Sequence, residues 1–162
     1  MERDSKVEIA KLFSCIILCQ VAGILGSIFT KPAILSWYIS LKKPFFTPPN
    51  WVFAPVWVIL YILMGVAAFL VWRKGFHQKQ TRSALVLFGI QLILNVLWSV
   101  MFFRLRSPFA GLIEISILSV AVILTLQSFL QVTRVAGLLL IPYFLWVAFA
   151  SGLNLSIWVL NR

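Results

Sequence analysis

Three stretches of this chain place flat aromatic rings, amides and hydroxyls where a helix would gather them on one face. Projected at 100° per residue, Phe88, Gln91, Asn95, Trp98 and Phe102 fall within one arc of about 80°. Tyr143, Trp146, Ala150, Asn154, Ile157 and Asn161 do the same, and Ala54, Trp57, Tyr61, Met64, Ala68 and Trp72 form a third such face. Stacking surface with a few orienting polar groups is what a pocket for a flat, largely apolar ligand must offer. The same faces would also serve plain helix packing, in which Asn and Gln hydrogen-bond across a bundle. Spacing by itself leaves both readings open.

Other chemistry is sparse. Glu114 is the one acid inside an apolar run. An ionised carboxylate at mid-bilayer is costly, so it must be neutral, paired or close to an interface. Six residues into its run, an interfacial position is expected. His77 is the only histidine and lies in the basic segment Arg73-Lys74-Gly75-Phe76-His77, outside the apolar runs. A haem carrier needs an axial ligand in the bundle, so a tetrapyrrole here would be held by stacking and charge. Cys15 and Cys19, four apart, read as small apolar fillers, with no disulfide framework or metal-ligand set around them. No Walker loop, Gly-rich dinucleotide fingerprint or Ser-His-Asp constellation is present. No cofactor is required by any motif.

The elements that must carry these faces follow from composition. The 162 residues are 62% hydrophobic and 11% charged, far from the balance of a soluble domain. Five long stretches, 12–29, 52–72, 83–103, 109–130 and 135–160, carry little or no charge. About 20 apolar residues cross a hydrocarbon core as a helix, and open strands cannot. The expected fold is therefore all-α, a single domain over 1–162 built as an integral membrane bundle of five transmembrane helices. The net charge of +10 is spread between the runs, which suits anionic headgroups of membrane lipids rather than nucleic acid. The start, Met1-Glu2-Arg3-Asp4-Ser5-Lys6, mixes both signs of charge and no cleavage motif follows, so the first run is read as a true span.

Three connectors, 73–82, 104–108 and 131–134, are short enough to make sequential helices antiparallel neighbours. The first, 30–51, is long and carries Pro32, Pro44, Pro48 and Pro49 among Trp37, Tyr38, Phe45, Phe46 and Trp51. A stiff aromatic loop of this kind suits a lid over a pocket, or an anchor in the membrane interface. Lys42 and Lys43 would then stand at the pocket mouth, placed for carboxylates or for headgroups. Basic residues number eight on the N-terminal side and six on the other, a slight lean toward a cytoplasmic N-terminus. Gly23 and Ser27, four apart, offer a small-residue face for a homodimer. No inverted repeat or broken helix of the transporter kind is visible.

Several runs in order carry a resemblance: Trp37-Tyr38, Lys43-Pro44, Pro48-Pro49-x-Trp51, Pro55-Val56-Trp57, Leu60-Tyr61 and Met64-Gly65, then Gln91-Leu92-x-Leu94-Asn95-x-x-Trp98, Phe102-Phe103, Pro142-Tyr143-x-x-Trp146, Phe149-Ala150 and Leu153-Asn154. Together they resemble the tryptophan-rich sensory protein/translocator protein family over nearly the whole chain. The resemblance implies five transmembrane helices, often dimeric, with a pocket beneath the first loop. It implies a membrane receptor or sensor for porphyrins, haem and other flat or lipid-like ligands, with a regulatory or tetrapyrrole-handling role. Light-dependent degradation of porphyrin and carriage across the membrane are its alternatives. Trp57 and Trp146 match the tryptophans tied to porphyrin breakdown, and would be catalytic only in that case. Tyr38, Gln91, Asn95, Ala150 and Asn154 match other pocket positions. With Tyr61, Trp98 and Tyr143 from the projected faces, these complete the expected ligand-binding set. Leu155 stands where animal members carry a Tyr, so cholesterol binding by that pattern is not expected.

Overall fold

The computed structural model describes residues 2–162, with side chains from Ser5 on. Met1 and the side chains of Glu2, Arg3 and Asp4, on which the reading of the N-terminal charge partly rests, lie outside the described residues. The chain is all-α. Its helices are α1 (Glu2–Ile34), a single turn α2 (Trp37–Ser40), α3 (Asn50–Trp72), α4 (Lys79–Ser99), α5 (Pro108–Val132) and α6 (Arg134–Leu160). A π turn, Val100–Arg104, prolongs α4. All but α2 are long and apolar enough to cross a membrane.

The ends of these helices have local causes. Ser107 caps α5, its hydroxyl accepting from the Ala110 amide at 3.2 Å, with Pro108 in the first turn where a missing N–H costs nothing. Thr133, in extended backbone, separates α5 from α6. At the other extreme α1 runs well past the expected 12–29. Its first turns persist beyond the apolar run, where Glu8 accepts from Lys11 at 2.9 Å and pairs with Arg73 beside the end of α3. Its last turns persist through Pro32, so the expected connector 30–51 is shorter and more regular than its prolines suggest. Residues 30–34 belong to α1, 37–40 form α2, and irregular backbone is confined largely to 41–49. Side-chain hydroxyls stitch the passage: Thr30 donates to the Gly26 carbonyl at 3.0 Å and Ser36 to the Pro32 carbonyl at 2.8 Å. Membrane helices accept a proline where neighbouring groups settle the backbone in this way.

The five spans close into a ring in the order α1, α3, α6, α5, α4, with α4 returning to α1. Helices α4, α5 and α6 are sequential neighbours, as their short connectors require. The α3–α4 pair differs: the two meet only lightly, because α1 and α6 flank α3. A connector of six residues reaches up to about 20 Å, enough to pass a helix about 10 Å across. The tightest crossing is α1 on α3. A Cβ added at Gly65 would lie 2.6 Å from the Ile16 Cα, so only glycine admits this approach. Met64, Tyr143, Leu140, Phe129, Ile115 and Leu118 fill the centre. Phe13, Ile17, Ile24, Ile93, Ile117 and Leu145 point outward, as a lipid-facing surface does.

Two expected positions are refined here. Gly23, expected on a small-residue face for a second copy, meets its own chain: a Cβ there would sit 2.5 Å from the Tyr61 ring of α3. Glu114, expected near an interface from its depth, is also covered by the neighbouring helices. It is 5% exposed, and neither carboxyl oxygen has a hydrogen-bond partner among the described residues. Its position six residues into the run gave depth along α5 but not the cover provided by the neighbouring helices.

Both features can be checked by thermal unfolding in detergent. Gly65→Ala drives a methyl into the α1 backbone and should cost about 1–3 kcal/mol. Gly152, with nothing within 4 Å of an added Cβ, is the matched control, and Gly152→Ala should be neutral or slightly stabilising. Glu114→Gln keeps the shape and removes an unpartnered ionisable group, so its midpoint should hold or rise, whereas Glu114→Lys should lower it. A fall in the Gln variant as deep as that in the Lys variant would show that the carboxylate is paired in the protein.

Candidate functional site

Between α1, α3, α4 and α6, at the end of the ring beneath α2, lies a cavity of about 470 Å³. Each helix supplies a different part. From α3 come Phe53, Trp57 and Tyr61, one turn apart along the face that the 3.6-residue period defines, with Ala54 beside Phe53. Asn95 and Trp98 come from α4, and Phe102 and Phe103 from the π turn. Trp146, Ala150, Leu153 and Asn154 come from α6. The wall formed by α1 is of another kind: beside Ile24 and Ile34 it presents Gln20, Gly23, Gly26, Ser27 and Thr30, small or polar residues and no aromatic ring.

The aromatic walls are rigidly set. Trp57 stacks on Tyr61 with ring centres 5.3 Å apart and planes 27° apart. Trp146 meets Phe53 edge-on at 5.9 Å, and Trp98 stacks on Phe102 at 5.3 Å. Polar groups fix these rings from behind. The Trp98 indole N–H donates to Asn154 Oδ1 at 3.1 Å, while Asn154 Nδ2 donates to the Pro108 carbonyl at 2.7 Å. One amide thus ties α4, α6 and the start of α5. Deeper in, Tyr61 donates to Asn95 Oδ1 at 2.6 Å, Asn95 Nδ2 to the Tyr143 hydroxyl at 3.0 Å, and Tyr143 to Gln91 Oε1 at 2.8 Å. This chain spans α3, α4 and α6 and forms the polar floor beneath the rings.

The roof is α2 and the segment after it. Tyr38 is 4% exposed and packs against Phe102 and Phe103, and burial pushes its phenol above the ordinary value, keeping it neutral and able to donate. The Lys43 ammonium lies 4.5 Å from the centre of the Tyr38 ring on a cation–π contact. Asn161, just past α6, holds the segment down. Its Oδ1 accepts from the Lys42 amide at 3.0 Å and its Nδ2 donates to the Lys42 carbonyl at 2.9 Å. A side-chain amide here pairs with a backbone as a β-strand would.

Eight of the ten expected ligand-binding residues border the cavity: Tyr38, Trp57, Tyr61, Asn95, Trp98, Trp146, Ala150 and Asn154. Gln91 and Tyr143 do not. They stand one turn further from the roof and are spent on the hydrogen-bonded chain, because a helical projection gives the direction of a side chain and not its depth. Lys42 and Lys43 also stay off the lining, and the basic residue on it is Lys31, carried in by the extra turns of α1. Of the α1 wall, sequence spacing singles out only Gly23 and Ser27, as a small-residue face. Its signal was present as small and polar residues interrupting an apolar run, but that pattern does not say which partner it receives.

The TspO/MBR family model matches residues 15–159. The tryptophan-rich protein TspO of Chlorobaculum tepidum is 47% identical over 156 residues, covering 95% of this chain and 98% of that protein. The translocator protein of Bos taurus is 35% identical over 147 residues, covering 90% and 87% respectively. The tryptophan-rich sensory protein of Cereibacter sphaeroides is 35% identical over 125 residues, 77% of each. With five membrane-spanning helices and a family match over most of its length, this chain is an integral, multi-pass membrane protein of the TspO/MBR family.

Proposed function

We propose that this chain is a membrane receptor or sensor whose cavity takes up a tetrapyrrole such as protoporphyrin or haem, or another flat or lipid-like molecule, in a regulatory or tetrapyrrole-handling role. One observation carries the reading: Trp57, Trp98 and Trp146, from three different helices, border a single cavity of about 470 Å³ floored by amides and hydroxyls. That size lies in the range that encloses a drug-sized ligand. The flat walls suit a flat ring by stacking. Lys31 on the lining and the neutral Tyr38 hydroxyl supply one charge and one donor for carboxylates at the ring edge. No His or Cys borders the cavity among the described residues, and His77 lies in the connector at the far end of α3, so haem would be held by its faces and edge. The names of the relatives, one of them a sensory protein, favour a receptor over a structural role.

Titration of protoporphyrin into the detergent-purified protein, followed by porphyrin absorbance, tests the cavity. Trp57→Ala with Trp146→Ala removes two stacking faces and should weaken binding by about 2 kcal/mol, roughly thirtyfold. Unchanged affinity in a folded double variant sinks the proposal. The roof is tested by Asn161→Ala, which deletes both bonds to Lys42. At about 1 kcal/mol for two partly exposed hydrogen bonds, ligand dissociation should quicken about fivefold in stopped flow, with association little changed.

A further inference from the structure

A second cavity, of about 320 Å³, lies outside the ring between the end of α1 and the connector from α4 to α5. Its wall is divided. Ile28, Phe29, Pro32, Ala33 and Phe103 make an apolar side, and Ser36, Arg104 and Arg106 make a polar one. The order along the membrane normal is set by the helices. Ile28 and Phe29 lie one to two turns inside the end of α1, and Ile28 is 57% exposed toward lipid. Ser36, Arg104 and Arg106 lie at or beyond the ends of both spans, which is where a span of this length meets the headgroups. The cavity therefore passes from hydrocarbon to headgroup depth.

The charge on the polar side is unanswered. Neither Arg104 nor Arg106 has an acidic partner among the described residues, where the ion pairs at Glu8 lie at the other membrane surface. Lys31, Lys42, Lys43, Arg104, Arg106 and Arg162 all gather at this end of the bundle, and the chain's four acids are Glu2, Asp4, Glu8 and the buried Glu114. Arginine keeps its charge at any relevant pH and presents a fork that matches phosphate oxygens. Arg106 also adopts a left-handed backbone, with φ of +53°. A non-glycine residue there is strained, a state that clusters at ligand clamps.

We propose that this cavity is a binding site for one anionic phospholipid, with the phosphate between Arg104 and Arg106 and an acyl chain along Ile28, Phe29 and Phe103. The divided wall selects an amphiphile over a free anion, since inorganic phosphate would leave the apolar side uncovered. The absence of an acid selects an anionic headgroup over a zwitterionic one, whose cation would sit against two guanidinium groups. Phe103 separates this site from the central cavity, so the two are distinct sites that share one ring.

Native mass spectrometry of the delipidated full chain, titrated with phosphatidylglycerol or with phosphatidylcholine of the same acyl chains, reads the site directly. The wild type should take up one phosphatidylglycerol about tenfold more tightly than phosphatidylcholine, and millimolar inorganic phosphate should not displace it. Arg104→Gln with Arg106→Gln should abolish the preference, while Lys74→Gln with Lys79→Gln, the same change of charge at the other surface, should leave it intact. Ser36→Glu, which sets a carboxylate in the cavity at an exposed position, should abolish it too, and stands in if the arginine variant does not fold. Undiminished preference in either folded cavity variant overturns the proposal. So does an equal loss in the Lys74/Lys79 control, which would make the effect one of diffuse charge, or displacement by inorganic phosphate, which would make it a free-anion site.

Discussion

In hydrocarbon a polar side chain can be satisfied only by another part of the protein, and the bundle is organised around that constraint at Asn95. Its amide accepts from Tyr61 on α3 and donates to Tyr143 on α6, and the Tyr143 hydroxyl donates in turn to Gln91, one turn from Asn95 on α4. Three helices are thereby held at one distance and one rotation. Each bond on its own contributes about 1 kcal/mol or less in a membrane. Their collective effect is geometric, since breaking any one leaves a buried donor or acceptor with no water to turn to. The aromatic walls of the cavity are set by the same groups: Tyr61 carries Trp57 on its ring, and Asn154 fixes Trp98.

Holding rings open around a cavity goes against the close packing that drives membrane helices together. The space exists because α1 contributes Gly23, Gly26, Ser27 and Thr30 where larger residues would fill it. The two glycines work by contact. Gly23 lets the Tyr61 ring approach α1 closely, and Gly26 faces Ser99 at a spacing a methyl would crowd. The π turn then does what an α-helix could not. By adding a residue to the turn it carries Phe102 and Phe103 across to meet Tyr38 and Trp37, joining the roof to the walls through rings.

The two membrane surfaces of the protein differ in kind. At the N-terminal surface Glu8 answers Lys11 and Arg73. At the roofed surface the cations have no acidic side chain against them among the described residues and are placed around openings, Lys31 on the central cavity and Arg104 and Arg106 on the outer one. Positive charge beside low-dielectric walls favours anions over cations at both.

Composition and period were enough to determine that the chain is a five-helix membrane protein and which face of α3, α4 and α6 turns inward, because both depend only on local spacing. Ala54, Trp57 and Tyr61 share a face whatever the neighbours are. What only the tertiary structure decided is depth and partnership. It separated Asn95, which borders the cavity, from Gln91, which does not, and it set Gly23 against Tyr61 and both Gly23 and Ser27 on the cavity lining. It carried Lys31 into the lining by continuing α1 through Pro32, and it buried Glu114 under its neighbours. These depend on which helix lies beside which and how far along it has slid. In a bundle where nearly every surface is apolar, hydrophobic pattern says little about either, and the choice falls to a few glycines and amides that act only in contact.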